Sequence, residues 1–202
     1  MNYLAIDTSG KNLTVIIKKD QKIYKFFDKE CGVNHSVALM PKVEELCALA
    51  EFNLSDADFF ACVVGAGSFT GIRIGVATVK AMCFAFNKPC LSVTSFDTLA
   101  YNKEGGKVLA LIDAKHNGFY ACGYQDNKVI LPPAYLMREQ VESLLAEYLA
   151  VSATEISGIA SETVSVEDGL IRAIELNADK ISLDPETLTP LYVRKSQAEE
   201  GR

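Results

Sequence analysis

Apolar residues follow two spacings along the chain, one typical of short strands and the other of helices. From Leu4, three apolar runs separated by polar turns predict three successive strands. Asn34 can cap a helix over residues 34–52, and its apolar stripe is predicted to consist of Val37, Met40, Val43, Leu46, Cys47 and Ala50. Residues 59–64 predict a strand buried on both faces, followed by a long helix over 69–86 and a short strand over 90–93.

The second half of the chain repeats the pattern of the first. Residues 4–24 align without gaps on residues 110–130, and the matched pairs are Ile6/Ile112, Asp7/Asp113, Asp20/Asp126, Lys22/Lys128 and Ile23/Val129. A helix over 138–149, a strand over 156–160 and a helix over 166–177 complete the second copy. The order of three strands, helix, strand and helix, found twice, predicts an α/β protein of two similar lobes, each a mixed sheet flanked by helices. The predicted limits are 1–104 and 105–202, with a linker near Gly105.

Composition and charge narrow the classes of protein to which the chain can belong. The net charge of −6 argues against a protein that binds nucleic acid by itself, so an RNA contact is expected to need a basic partner. The N-terminus has no basic segment and its apolar stretch is too short for a signal peptide or a membrane span, so we expect a cytoplasmic protein that does not enter a membrane. Six cysteines without a C-x-x-C pair favour buried, reduced thiols over a disulfide or zinc framework.

Two loops carry residues that can hold a phosphate. Asp7, Thr8 and Ser9 end the first strand, and Asp113 and Lys115 stand at the matching place in the second half. Backbone N–H groups and the Thr8 and Ser9 hydroxyls can donate to phosphate oxygens, while Asp7 can hold Mg²⁺ through water. Tight turns also favour Asp, Asn and Gly, so a purely structural interpretation stays open.

A glycine-rich segment follows the buried strand, over residues 65–75. Its functional candidates are Gly65, Gly67, Ser68, Thr70, Gly71 and Arg73. The spacing fails the dinucleotide fingerprint at Thr70, and it lacks the lysine of a P-loop. We therefore expect the glycines to allow a tight turn and a close approach to a neighbouring segment, with Ser68 or Thr70 capping the helix.

The helix over 69–86 is apolar on nearly every side, so it needs cover on nearly every side. The sheet can cover one side of this helix, and either the helix over 34–52 or a second subunit can cover the other.

The two histidines, His35 and His116, form no H-x-x-x-H or H-E-x-x-H pair, which excludes a histidine metal site on one helix.

The glycine-rich segment resembles a family signature. Residues 65–78, GAGSFTGIRIGVAT, are similar to the G-P-G-S-F-T-G-[LV]-R-I-G-x-A signature of the bacterial TsaB family, formerly YeaZ. Matches at 4–9, 35–41, 113–115 and 190–194 extend the resemblance over almost the whole chain, and Ala66 replaces the usual proline.

The resemblance implies an actin-like (ASKHA) fold of two lobes and a role in making threonylcarbamoyladenosine (t6A) in tRNAs that read codons starting with A. In that family TsaB is a non-catalytic subunit that pairs with the homologous catalytic subunit TsaD and with the ATPase TsaE. The resemblance also implies that ATP and metal are bound by those partners, that the phosphate loops are vestigial, and that the chain contacts tRNA only within the complex. Residues 158–161 also lack the double glycine of an adenosine-binding turn.

The two long helices of the first half are expected to lie on one side of their sheet and to present an apolar ridge to TsaD, or to a second copy when the protein is isolated. The candidate interface residues are Leu39, Val43, Leu46, Ile74, Ala77, Ala81 and Phe84. The rival hypothesis is an autonomous ATP-dependent kinase of the same superfamily, which would need an intact adenosine loop.

Overall fold

The computed structural model describes residues 1–194. These residues divide into two compact units. Lobe 1 contains residues 1–94 and 174–191, and lobe 2 contains residues 95–173 together with the described residues from Tyr192 onward. The predicted limits of 1–104 and 105–202 differ from this division, because residues 95–100 pack in lobe 2 and the chain returns to lobe 1 near its end.

Lobe 1 is built on a five-stranded mixed sheet. Its elements are β1 (Tyr3–Asp7), β2 (Leu13–Lys19), β3 (Lys22–Asp28), α1 (His35–Ala50), β4 (Phe59–Val63), α2 (Phe69–Phe86) and β5 (Cys90–Val93). The strand order is β3-β2-β1-β4-β5, with β1, β4 and β5 parallel and the other pairs antiparallel. Short 3₁₀ turns lie at Gly32–Asn34 and Leu54–Asp56.

Lobe 2 repeats this arrangement. Its elements are α3 (Ser95–Ala100), β6 (Lys107–Asp113), β7 (Gly118–Gln125), β8 (Lys128–Met137), α4 (Arg138–Leu144), β9 (Leu149–Ser152), β10 (Ser161–Thr163) and α5 (Val166–Leu176), whose last residues belong to lobe 1. The strand order is β8-β7-β6-β9-β10, the same connectivity as in lobe 1. The predicted fold class is thereby confirmed.

The repeated aspartates of the sequence occupy equivalent turns. Asp20 and Gln21 join β2 to β3 with positive φ angles of 48° and 71°, and Asp126 and Asn127 join β7 to β8 with 50° and 60°. Two successive residues with positive φ are typical of the type I′ turn, whose twist matches that of the strands it joins. The match of Asp20 with Asp126 therefore reflects a shared backbone conformation.

The core of lobe 1 lies between the sheet and both long helices, as predicted. Leu4 and Ile6 of β1 belong to one buried apolar cluster with Val43 of α1 and Val76 of α2. The helices therefore cover the same face of the sheet. α2 is long and apolar enough by composition to cross a membrane, which for a single helix is weak evidence of a membrane span, and 39% of it is buried within the protein.

Three sequence predictions of local structure were wrong. The buried stripe of α1 runs through His35, Leu39, Val43, Leu46 and Ala50. Val37 is 75% exposed and Met40 is 40% exposed, because apolar residues occur on two sides of this helix and the sheet accepts only one. α4 ends at Leu144, and the strand expected at 156–160 is a loop, since β9 begins earlier, at Leu149.

A C-terminal segment returns to lobe 1 and closes its edge. Ser182 exchanges two backbone hydrogen bonds of 2.8 Å with Cys90 on the edge strand β5. Lys80 of α2 pairs with Glu186 at 2.8 Å, and Leu188 is fully buried in the lobe 1 core. The backbone N–H of Leu191 then donates to the carbonyl of Val64, directly before the glycine-rich segment.

Candidate functional site

The loop after β1 folds back on its own aspartate. Oδ1 of Asp7 accepts from the backbone N–H of Ser9 at 2.8 Å and from the Ser9 hydroxyl at 2.7 Å. The Thr8 hydroxyl donates to the carbonyl of Gly71 at 2.7 Å. All three residues are buried, so the groups that were expected to face a phosphate are bonded within the chain.

The glycine-rich segment packs directly on this loop. Ser68 caps α2, since its hydroxyl accepts from the N–H of Gly71 at 3.2 Å, and its own N–H donates to the carbonyl of Ser9 at 2.7 Å. A β-carbon at Gly67 would lie 2.1 Å from the Ser9 carbonyl oxygen, and one at Gly75 would lie 2.6 Å from the Thr8 hydroxyl oxygen. The glycines thus permit the close approach that the sequence predicts.

The environment of Asp7 disfavours its charged form. Burial raises the pKa of the Asp7 carboxyl above its ordinary value, and the hydrogen bonds from Ser9 and the charge of His35 act in the opposite direction. His35 is itself buried at the start of α1, where Nε2 lies 2.9 Å from the carbonyl of Asn12. These contacts hold the loop in place, and they are the arrangement of a structural turn.

The matching loop of lobe 2 forms the same turn but is exposed. Oδ1 of Asp113 accepts from the N–H of Lys115 at 2.8 Å, and the Lys115 ammonium group pairs with Oδ2 at 2.7 Å. Asn117 accepts from Nε of Arg138 at 2.8 Å, and the whole loop lines an open pocket of about 300 Å³. In lobe 1 the glycine-rich segment packs directly on the corresponding loop, where the N–H of Ser68 donates to the carbonyl of Ser9.

The donor set does not fit a metal centre. Among residues 1–194, no three His, Cys, Asp or Glu side chains come close enough to hold an ion. His35 belongs to lobe 1 and His116 to lobe 2.

All six cysteines are free and five of them are buried, as the sequence predicts. Burial raises the pKa of Cys83 to about 12, so this thiol stays protonated near neutral pH.

The candidate interface residues divide into two groups. Leu39, Val43 and Leu46 are at most 4% exposed and form part of the lobe 1 core, so the prediction that they contact a partner was wrong. They belong to the buried stripe of α1, which packs on the sheet. Ala77, Ala81 and Phe84 are exposed, and Ile74 is half-buried.

The same helices expose other apolar residues that the sequence analysis missed. We use the term helical surface for the exposed apolar residues of α1 and α2, which are Val37, Met40, Ala48, Leu49, Ala77, Ala81, Phe84, Ala85 and Phe86. Met40 and Phe86 line one groove of about 420 Å³, together with Cys47 and residues 52–55. The sequence does carry a signal for this surface, because α1 has apolar residues on two sides and only one side can pack on the sheet.

Comparison with known proteins identifies the family of the chain. Residues 16–162 match the family described as TsaD: tRNA N6-adenosine threonylcarbamoyltransferase. The chain is 26% identical to the tRNA threonylcarbamoyladenosine biosynthesis protein TsaB of Escherichia coli K12, over 98% of this chain and 96% of the relative. It is 32% identical to the TsaB protein of Bacillus subtilis 168, over 62% of this chain and 56% of the relative.

A solved structure shares the fold over nearly its whole length. YeaZ from Pseudomonas aeruginosa superposes with a TM-score of 0.79 at 23% identity, covering 95% of this chain and 99% of that one. The chain belongs to the TsaB (YeaZ) family, within the wider group of TsaD-type domains.

Proposed function

We propose that this chain is the non-catalytic, activating subunit for threonylcarbamoyladenosine modification of tRNAs that read codons starting with A. It acts in the cytoplasm with TsaD as the catalytic subunit and TsaE as the ATPase, and those partners carry the ATP and the metal. The observation that carries the proposal is the closed β1 loop, whose phosphate-binding groups are bonded inside the chain.

A bound phosphate would have to break these internal bonds. Asp7 and Thr8 are already bonded to Ser9 and Gly71, and the backbone of Gly67 lies against Ser9. A nucleotide would gain the Thr8 hydroxyl only if the glycine-rich segment moved away from the β1 loop, and it would gain the Ser9 donors only if Asp7 gave them up; either change leaves buried polar groups without their partners. The geometry therefore favours a vestigial phosphate loop that now stabilises lobe 1.

The role of the chain is then to bind its partner. The helical surface offers small residues, Ala77 and Ala81, beside the large exposed Phe84, which is 63% exposed. Small residues allow helices of two subunits to approach closely, and exposed aromatic side chains are common anchors of protein interfaces. A second copy of the chain can cover the same residues, so the isolated protein is expected to form a homodimer that competes with TsaD.

Depletion of the protein in its own host tests the proposal. We expect t6A to disappear from bulk tRNA, as measured by mass spectrometry of the nucleosides, and to return when the chain is supplied from a plasmid. Another modified nucleoside of the same tRNA serves as the control. Normal t6A in depleted cells that hold no second copy of the gene would contradict the proposed function.

A further inference from the structure

The turn between β6 and β7 contains the only Asn-Gly pair of the sequence, Asn117-Gly118. Such a pair can deamidate without an enzyme, because a glycine has no side chain to hinder the attack of its backbone nitrogen on the preceding side-chain amide. Asn117 is exposed, so water reaches it. The pair is therefore a candidate site of covalent modification.

Local packing in lobe 2 places both residues of the pair. Asn117 has a positive φ angle of 64°, which asparagine tolerates better than most residues. A β-carbon at Gly118 would lie 2.0 Å from the Tyr135 hydroxyl oxygen, so only glycine fits against that ring. The matching positions of lobe 1 hold Lys11 and Asn12, so the pair arises from this packing and is not required by the repeat.

Hydrogen bonds hold the pair in one conformation. Nε of Arg138 donates to Oδ1 of Asn117 at 2.8 Å, and the N–H of Gly118 donates to the carbonyl of Lys115 at 3.0 Å. Arg138 is itself fixed, since its Nη2 donates to the carbonyl of Ser157 at 3.0 Å. The side-chain amide of Asn117 is thus bonded to an arginine that a second loop keeps in place.

Deamidation needs this arrangement to open. The Gly118 nitrogen forms a bond to Cγ of Asn117, and the side-chain nitrogen leaves as ammonia, which carries away the proton of the Gly118 amide. The product is a cyclic imide, and water opens it at either carbonyl to give aspartate or isoaspartate. Ring closure requires rotation of the Asn117 side chain towards the Gly118 nitrogen, and the bond from Arg138 opposes that rotation.

Arg138 acts on this reaction in two opposite directions. Its donation to Oδ1 polarises the amide of Asn117, which favours attack by the nitrogen. The same bond fixes the side chain, which disfavours attack. Correct orientation of the reacting atoms contributes far more to a reaction rate than one hydrogen bond does, so the restraint should outweigh the polarisation.

We propose that Asn117 is a site of spontaneous deamidation in this chain, and that Arg138 limits the rate by holding the side-chain amide in place. Because the bond from Arg138 must break before the ring closes, the rate follows the population of the opened turn. The inference concerns lobe 2 alone, and it stands or falls independently of the proposed function.

Removal of the arginine tests the proposal. Arg138→Met removes the donors and keeps an aliphatic side chain. Arg172→Met makes the same change at another exposed arginine of lobe 2, one that bonds to the carbonyl of Tyr101. Both variants and wild type are incubated as folded proteins in mildly alkaline buffer, and circular dichroism checks the fold.

One peptide reports the reaction together with an internal reference. Trypsin releases residues 116–128, which contain Asn117 and also Asn127, a second asparagine with positive φ that lysine follows. Fragmentation in a mass spectrometer measures deamidation at each. We expect deamidation of Asn117 to be about tenfold faster in Arg138→Met, the factor expected for loss of one hydrogen bond to a charged group. Asn127 should be unchanged in all three proteins, and Arg172→Met should match wild type.

An unchanged rate at Asn117 in Arg138→Met would overturn the proposal, since the arginine would then impose no restraint. A slower rate would overturn it as well, because polarisation would then be the larger effect. A measurement on wild type alone covers the case in which Arg138→Met does not fold. Unfolding in urea removes the turn and should accelerate deamidation at Asn117 strongly, and equal rates in folded and unfolded wild type would contradict the proposal.

Discussion

The α-carbon of Gly71 faces the carbonyl oxygen of Thr8 so closely that a β-carbon there would lie 2.0 Å from that oxygen. Gly71 lies in the first turn of α2, and Thr8 follows β1. The glycine-rich signature is thus a contact between the β1 loop and a helix, with the Thr8 hydroxyl bonded to the Gly71 carbonyl. Backbone packing, rather than ligand binding, accounts for the absence of a side chain at this position.

Replacement of Gly71 by alanine should therefore destabilise lobe 1. Alanine is the better helix former, by about 1 kcal/mol, yet the added methyl group would meet the backbone of Thr8 in the β1 loop. We expect a loss of about 1–3 kcal/mol in the free energy of unfolding, measured by urea denaturation. Gly10→Ala is the control, because its nearest neighbour would be Asn12 N at 3.9 Å. Equal stability of the two variants would contradict the packing argument.

The sequence predicted the two-lobed topology because the repeat preserves its turns. Asp20 and Asp126 match in sequence and share a left-handed turn, so the strand order of one lobe predicts that of the other. The orientation of α1 was not predictable in the same way, since Val37 and Leu39 are equally apolar and only the position of the sheet decides which is buried. The return of Leu188 to lobe 1 depends on contacts between residues about 100 positions apart, for which the sequence has no local signal.

The closed β1 loop was equally hard to predict from residue types. Asp7 and Ser9 satisfy the pattern of a phosphate loop and that of an aspartate turn. The position of Ser68 against Ser9 decides between the two, and this contact joins segments about 60 residues apart. The spacing of the glycines indicated that their backbone lies close to another segment, but it did not indicate that this segment is the β1 loop.

Leu188 should be essential for lobe 1 although it lies near the C-terminus. Its side chain is fully buried in the core of that lobe, whereas the nearby Leu183 is 86% exposed. We expect Leu188→Ala to lower the free energy of unfolding by about 2–5 kcal/mol. Leu183→Ala is the matched control and should change it by less than about 0.5 kcal/mol. If Leu188→Ala is as stable as the control, the C-terminal segment does not hold lobe 1.

Asp7 should make stability depend on pH. Burial raises the pKa of this carboxyl in the folded protein, so the folded state binds the proton more tightly than the unfolded state. The contribution of Asp7 to stability is then fully present below the unfolded pKa and is lost as the pH rises through the folded pKa. Asp7→Asn keeps the acceptor for Ser9 and removes the buried charge.

The variant should therefore gain stability relative to wild type at pH 7, and this gain should shrink as the pH is lowered towards about 4. Urea denaturation at a series of pH values measures the difference. Asp113→Asn changes the same turn on an exposed loop and serves as the control. A gain that is independent of pH would show that ionisation of Asp7 is not its cause.

The isolated protein should not hydrolyse ATP at an enzymatic rate. The Thr8 and Ser9 groups that would bind phosphate are engaged within the chain, so ATP and Mg²⁺ find no prepared site in the β1 loop. We expect phosphate release far below about one turnover per second, the lower end of typical enzyme rates. A faster rate, retained by the purified protein through a further chromatography step, would favour the rival hypothesis of an autonomous kinase.

The helical surface gives the sharpest test of the proposed partnership. Ala77 and Ala81 are exposed on α2, so Ala77→Glu and Ala81→Glu should fold normally, as judged by circular dichroism and thermal unfolding. At an interface the same carboxylate would be buried without a partner, at a cost of several kcal/mol that is enough to dissociate a micromolar complex. We expect at least one variant to lose TsaD binding and, with it, t6A formation.

Ala146→Glu makes the same change at an exposed alanine of lobe 2 and should leave TsaD binding intact. The self-association of the isolated chain, measured by sedimentation, should weaken in the same variants that lose TsaD, because both partners are proposed to cover one surface. If both variants of α2 bind TsaD as wild type does, the interface lies elsewhere. If they lose TsaD but still form homodimers, the two partners use different surfaces, and the small residues of α2 serve the heterodimer alone.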